Sequence, residues 1–152
     1  MRLTIASIGK FRGGPLEALY THYVDRIPWQ TTLREVEEKK PLKGDKLKSR
    51  EADLLMKAVP KGATVLALHE FGKEYGSVDF SKMLGQYADS GVQDIAFLIG
   101  GADGHSSTTL QSADRLISLG KMTWPHLMVR GLLAEQIYRA HSILTNHPYH
   151  RA

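Results

Sequence analysis

The sequence predicts an α/β fold: a mostly parallel sheet with helices on both faces. Three observations carry this. Short β-branched runs alternate along the chain with segments of helical periodicity, the pattern of strands joined by helical crossovers. Ala63–Leu68 and Asp94–Ile99 are apolar almost throughout, as strands covered on both faces are. The chain has 152 residues, 42% of them hydrophobic and 24% charged, which suits one domain, expected to span 1–152, with a sizeable core.

The elements follow in order. Leu3–Ile8 is a short apolar strand ended by Gly9. Pro15–Arg26 is a helix: Gly13 and Gly14 precede it, Pro15 stands where a first-turn proline is tolerated, Leu16, Leu19, Tyr20 and Tyr23 recur at helical spacing, and Pro28 stops it. Thr31–Glu37 alternates imperfectly through Leu33, Glu35 and Val36 and is assigned as a strand. Lys39–Arg50 is basic and expected to be mobile. A helix over Lys46–Val59 turns Leu47, Leu54, Leu55 and Ala58 inward before Pro60 and Gly62. The strand Ala63–Leu68 leads to an expected loop, Phe71–Ser77. The helix Val78–Asp89 carries Phe80, Met83, Leu84 and Tyr87 inward, with Ser77 as its expected cap. After the strand Asp94–Ile99 come a tight loop, Gly100–Gly104, a short helix, Ser107–Ser112, and a strand, Arg115–Leu119. Pro125–Thr145 is the longest helix, and Asn146–Ala152 is a polar tail. There is no internal repeat and no interdomain linker.

Composition narrows the function. Without cysteine there are no disulfides, no thiolate metal sites and no thiol nucleophile. His141, His147 and His150 lack the thiolates and carboxylates that would make a metal site, so no metal is expected. The net charge of +4 favours a polyanionic partner, though many ordinary enzymes are as basic. The first apolar run is too short for a signal peptide and no stretch reaches membrane-spanning length, so a cytoplasmic protein without membrane association is expected.

In parallel sheets ligands sit beyond the carboxyl ends of the strands, so Leu68–Gly76, Gly100–His105 and Leu119–Pro125 are the informative loops. Leu98–Gly104 has three glycines that allow main chain to approach a ligand, or form an ordinary tight turn; no nucleotide fingerprint or P-loop lysine accompanies them. Leu119–His126 combines a flexible Gly120 with the flat face of Trp124 and the helix-starting Pro125. By itself it reads as a helix start with an aromatic staple. In the last helix Leu127, Met128, Leu132, Leu133, Ile137, Tyr138 and Leu144 cover more than one face, the mark of a subunit interface. His126 and Arg130 share a face beside the glycine-containing loop, open to a structural or a functional reading; Glu135 and Arg139, also four apart, read as a structural ion pair. The tail holds an aromatic, two imidazoles and an arginine, groups that stack on bases and bind phosphate; fraying is its default.

Together, Leu98–Gly104, Lys121–His126 with Val129 and Arg130, Leu132–Ala140 (LLAEQIYRA) and Asn146–Arg151 (NHPYHR) resemble the ribosomal RNA large-subunit methyltransferase H family. These are small SPOUT-class enzymes that methylate N3 of a pseudouridine. The resemblance spans the chain and is dense in its C-terminal third; the joint order of the segments is specific, though no single one is. It implies a C-terminal trefoil knot, a homodimer, and S-adenosylmethionine held bent in the knot, largely by main chain. The matching cofactor positions are Leu68, Gly100, Leu119, Gly120, Lys121, Met122, Thr123 and Trp124. The implied substrate is large-subunit (23S) ribosomal RNA in the assembled ribosome. Methylating an imide nitrogen calls for a proton acceptor and a cationic donor. Arg130 is the expected donor, His126 and His150 are candidate acceptors, and Tyr149 and Arg151 would hold the nucleotide, with the tail acting in the partner's site. Lys39–Arg50 suits phosphate contact or a solvated face equally.

Two rivals share parts of the pattern. A dinucleotide-dependent oxidoreductase would need a glycine fingerprint after the first strand, and Gly9–Gly14 has the wrong spacing. A non-catalytic, ribosome-associated RNA-binding protein shares the charge but has no need of glycine loops at sheet ends.

Overall fold

A computed structural model describes residues 1–151. Five strands, β1 (Arg2–Ile8), β2 (Gln30–Val36), β3 (Thr64–Glu74), β4 (Asp94–Ile99) and β5 (Arg115–Ser118), form one sheet in the order β2-β1-β4-β3-β5. Every neighbouring pair is parallel, so each strand must be followed by a crossover. The crossovers are α1 (Pro15–Val24), α2 (Gly44–Ala58), α3 (Ser77–Asp89) and α4 (Ser107–Ser112); α5 (His126–Leu144) follows the last strand.

Alternation along the strands assigns the two faces. Ile5, Leu66, Phe97 and Ile99 turn to one face, where Tyr20 of α1, Leu84 of α3 and Leu133 and Ile137 of α5 cover them. Ala6, Ile8, Val65, Ala67 and Leu98 turn to the other, under Leu55 and Ala58 of α2 and beside Ala113 at the end of α4. The central strands β1 and β4 are therefore buried on both faces. The edge strand β2 alternates exposed and half-buried residues, which explains its imperfect pattern in sequence.

Four local expectations need correction. The segment Phe71–Ser77, read as a loop, is strand as far as Glu74. Leu68 and Lys73 both stand opposite Ile117, so residues 69–72 leave the ladder and rejoin it over β5. Gly72 makes this possible: a Cβ there would lie 2.6 Å from Ile117 N and 2.7 Å from the carbonyl carbons of Ile117 and Leu116, so main chain rests on main chain. Second, α2 begins at Gly44, so the second half of the basic Lys39–Arg50 stretch is helical rather than loose. Third, Ser77 does not cap α3. Gly76 is the capping residue, and the Ser77 hydroxyl donates to Gln136 Oε1 of α5 at 2.8 Å.

Fourth, the tail is supported. Asn146 adopts φ +55°, and the N–H groups of Asn146 and His147 return to Ile143 O (3.2 Å) and Ser142 O (2.8 Å), a Schellman closure with asparagine in the left-handed position. This folds the chain back on α5, where the Tyr149 hydroxyl donates to Glu135 Oε1 at 2.9 Å.

The crossing over β5 sets a stability test. Gly72→Ala should lower unfolding free energy by about 1–3 kcal/mol through overpacking. Gly76→Ala, where nothing lies within 4 Å of the added Cβ, should change it by less than about 0.5 kcal/mol. Urea denaturation of the two variants makes the comparison.

Candidate active site

At the carboxyl ends of β3, β4 and β5 opens a cavity of about 350 Å³, within the usual size of ligand sites. The three loops singled out in the sequence converge on it. Leu68, Gly100, Leu119, Gly120, Met122, Thr123 and Trp124 line it, while Lys121 does not; His126 and Val129 of α5 and Lys48 of α2 complete the wall.

Glycine main chain at Gly100, Gly101, Gly104 and Gly120 forms part of the lining. At Gly100 a Cβ would stand 3.1 Å from the Gly104 carbonyl carbon and 3.2 Å from His105 N. The Gly104 N–H closes the turn on Gly101 O at 3.0 Å. Gly120 has φ +108°, a left-handed conformation that disfavours a Cβ. The buried Ser118 hydroxyl knits two of the loops: it lies 3.1 Å from Glu70 O and 3.0 Å from Gly120 O, and accepts the Gly120 N–H at 3.1 Å. At the mouth, Met122 and Trp124 present exposed apolar surface.

His126 stands in the cavity wall, whereas Arg130, on the same face one turn later, is turned inward and is 0% exposed. Its Nη1 donates to Glu35 Oε1 at 2.7 Å, and its Nη2 donates to Ile8 O at 2.8 Å and Gly9 O at 2.9 Å. The guanidinium lies 4.6 Å from the centre of the Phe11 ring, and the Phe11 N–H donates to the same Glu35 oxygen at 2.6 Å. Burial opposes the guanidinium charge and Glu35 offsets it. Arg130 therefore clamps the end of β1 to α5 and offers no Nη donor to the cavity.

Gly9, read in sequence only as a strand end, admits this packing. It has φ +85°, and a Cβ there would lie 3.2 Å from His126 Nε2. Burial, and then the positive charge of Arg130, holds the His126 imidazole below its ordinary pKa, so it is neutral at neutral pH. His105 is a lining residue that the sequence reading passed over. It is buried with Nε2 3.3 Å from Leu98 O, and burial lowers its pKa too.

Neither Tyr149 nor His150 lines the cavity. Arg139, ion-paired with Glu135, lies 4.8 Å from the Tyr149 ring centre, with its Nη1 3.3 Å from His150 Nδ1. Burial and bonds to Tyr23 and Glu135 raise the Tyr149 pKa, keeping the phenol protonated. At about 1.5 Å per residue, Arg139 is roughly 20 Å along α5 from His126. Among the described residues no group of side chains could hold a metal ion, and no helix is long and apolar enough to cross a membrane.

The family model described as "Predicted SPOUT methyltransferase" matches residues 1–150. The chain is 57% identical over 151 residues to the ribosomal RNA large subunit methyltransferase H of Paramagnetospirillum magneticum, covering 99% of both chains. It is 51% identical over 152 residues to the protein of that name from Rhodospirillum centenum, covering 100% of both. A probable methyltransferase from Bordetella pertussis has the same fold at a TM-score of 0.60 with 13% identity, over 91% of this chain and 95% of that one.

The Arg130 clamp generates a test of its own. Glu35→Ala should strand a buried guanidinium and destabilise the fold by about 3–5 kcal/mol. Glu37→Ala, which removes the exposed partner of Arg12 at 3.7 Å, should cost less than about 1 kcal/mol. Chemical denaturation at pH 7 compares them.

Proposed function

Because the chain belongs to the SPOUT methyltransferase family, we propose that it transfers a methyl group from S-adenosylmethionine to N3 of a pseudouridine in 23S ribosomal RNA. It does so as a cytoplasmic homodimer acting on the assembled ribosome. The observation that carries this reading is the main-chain cavity at the strand ends, with a neutral imidazole in its wall. The family's trefoil knot belongs to the reading as well; the close passage of residues 69–72 over β5 supports it.

The cavity suits S-adenosylmethionine because glycine main chain at Gly100, Gly101, Gly104 and Gly120 lines it, and at Gly100 and Gly101 a Cβ would be crowded. Leu68, Gly100 and the segment Leu119–Trp124 would hold the molecule; Lys121 would act from outside the wall. When bound, S-adenosylmethionine supplies a methyl group on a positively charged sulfonium. The protein must take the proton from N3–H of the base and bear the charge that spreads onto the flanking carbonyls. His126, neutral and in the wall, is the proton acceptor within the subunit. Arg130 is a positioning residue: it anchors the start of α5, and its charge adds to burial in keeping His126 unprotonated. Nucleotide contacts come from Tyr149, His150 and Arg151 of the partner subunit, with His150 a second proton acceptor. The distance of the tail from its own cavity supports this trans arrangement. Half-buried Leu127, Met128 and Leu132 on α5 support its role as the dimer interface.

Incubation with methyl-labelled S-adenosylmethionine and ribosomes from cells lacking the protein tests the activity; label should map to one pseudouridine of 23S RNA. Label in another RNA, or none, would contradict the reading.

Two further outcomes are expected. Since burial depresses the His126 pKa, the neutral, active form should persist below the ordinary imidazole value of about 6.5. The acid limb of the pH–rate profile should therefore fall below pH 6.5. His126→Gln should abolish that limb and lower kcat by about 10²-fold or more. For the trans arrangement, a chain truncated after Thr145 is mixed with a full-length Gly120→Val chain under subunit exchange. Each homodimer should be inactive while the heterodimer regains one working site; a silent heterodimer would put the tail back in its own subunit.

A further inference from the structure

The segment Lys39–Arg50 carries six basic side chains and one acidic one, although the net charge of the whole chain is only +4. The rest of the chain is thus slightly negative, and the positive charge is concentrated here. A merely solvated face is served by interspersed signs. Residues 37–43 leave the carboxyl end of β2 and α2 starts at Gly44, so the segment lies at the same carboxyl end of the sheet as the cavity. Lys48 stands in the cavity wall. Arg50 is bound to Glu38 at 2.6 Å. Lys39, Lys40, Lys43 and Lys46 are exposed and form no ion pair among the described residues. The band continues onto the β1–α1 connection, where the Gly9 N–H donates to Val36 O at 2.8 Å and Arg12 faces Glu37. Glu70 and Asp103 line the cavity from the β3 and β4 loops, so the positive field approaches it from one side.

We propose that this band is the track of the RNA backbone. Phosphates flanking the target nucleotide lie along Lys40, Lys43 and Lys46, and Lys48 marks where the strand reaches the cavity. The inference rests on the ribosomal RNA reading above and adds the surface and direction of approach. Such contacts release counterions, so affinity must fall steeply with salt in proportion to the phosphates engaged.

The test replaces Lys40, Lys43 and Lys46 together by glutamine and compares this with a Lys57, Lys61 and Lys82 to glutamine control. The control removes equal charge at exposed positions outside the band. In the first variant the slope of log affinity against log salt, measured by filter binding of ribosomal RNA, should shrink by about 2, near 0.7 per lost single-strand contact. KM for ribosomes should rise at least tenfold, with kcat within twofold of wild type and S-adenosylmethionine affinity by calorimetry unchanged. The control should keep the wild-type slope and KM. An unchanged slope in the first variant, or an equal loss in the control, would overturn the proposal. A wild-type protein that labels no RNA would instead defeat the methyl-transfer reading, and the binding slopes would still decide the band.

Discussion

The buried Arg130 guanidinium ties the start of α5 to the ends of β1 and β2. The Arg130 guanidinium has no access to solvent and takes its partners from two strands: Glu35 of β2 and the main-chain carbonyls of Ile8 and Gly9 where β1 ends. A buried charge persists only when paired and hydrogen-bonded, so the start of α5 and the ends of β1 and β2 cannot move independently. His126 lies one helical turn before Arg130 and against Gly9, and burial, then the Arg130 charge, keeps it neutral. The loop from β5 into α5 is fixed at its far end by the same helix.

The second constraint is close approach of main chain. At Gly72 a Cβ would collide with the backbone of Leu116 and Ile117, and at Gly100 it would be crowded by Gly104 and His105. The first draws β3 over β5; the second shapes the floor of the cavity. Between them the Ser118 hydroxyl ties Glu70 to Gly120. A ligand bound in such a site would meet fixed N–H and C=O groups and need little reorganisation.

Strand runs such as Ile95–Ile99 and the inward-facing Phe80, Met83 and Leu84 carry their periodicity openly, so the α/β architecture and the three converging loops were legible before any coordinates. The extension of β3 through Phe71–Glu74 was not: the segment contains Gly72, Lys73 and Glu74 and has no apolar alternation, and its strand pairing depends on a contact with β5 over forty residues later. Helical spacing put His126 and Arg130 on one face, but periodicity cannot show that Glu35, 95 residues earlier, captures the arginine. The same applies to Gly9, whose importance lies in what a side chain would strike, and to the tail, whose return to α5 depends on the left-handed Asn146. Local pattern reveals elements; distant polar partners and forbidden volumes appear only in three dimensions.

S-adenosylmethionine binding is proposed for the cavity at the ends of β3, β4 and β5. Amide hydrogen exchange with and without S-adenosylmethionine tests it most directly. Slowed exchange is expected to concentrate in residues 68–70, 100–105 and 118–124, with the amino ends of the strands unaffected. Protection centred elsewhere on the molecule, or S-adenosylmethionine binding that leaves these three segments unchanged, would contradict it.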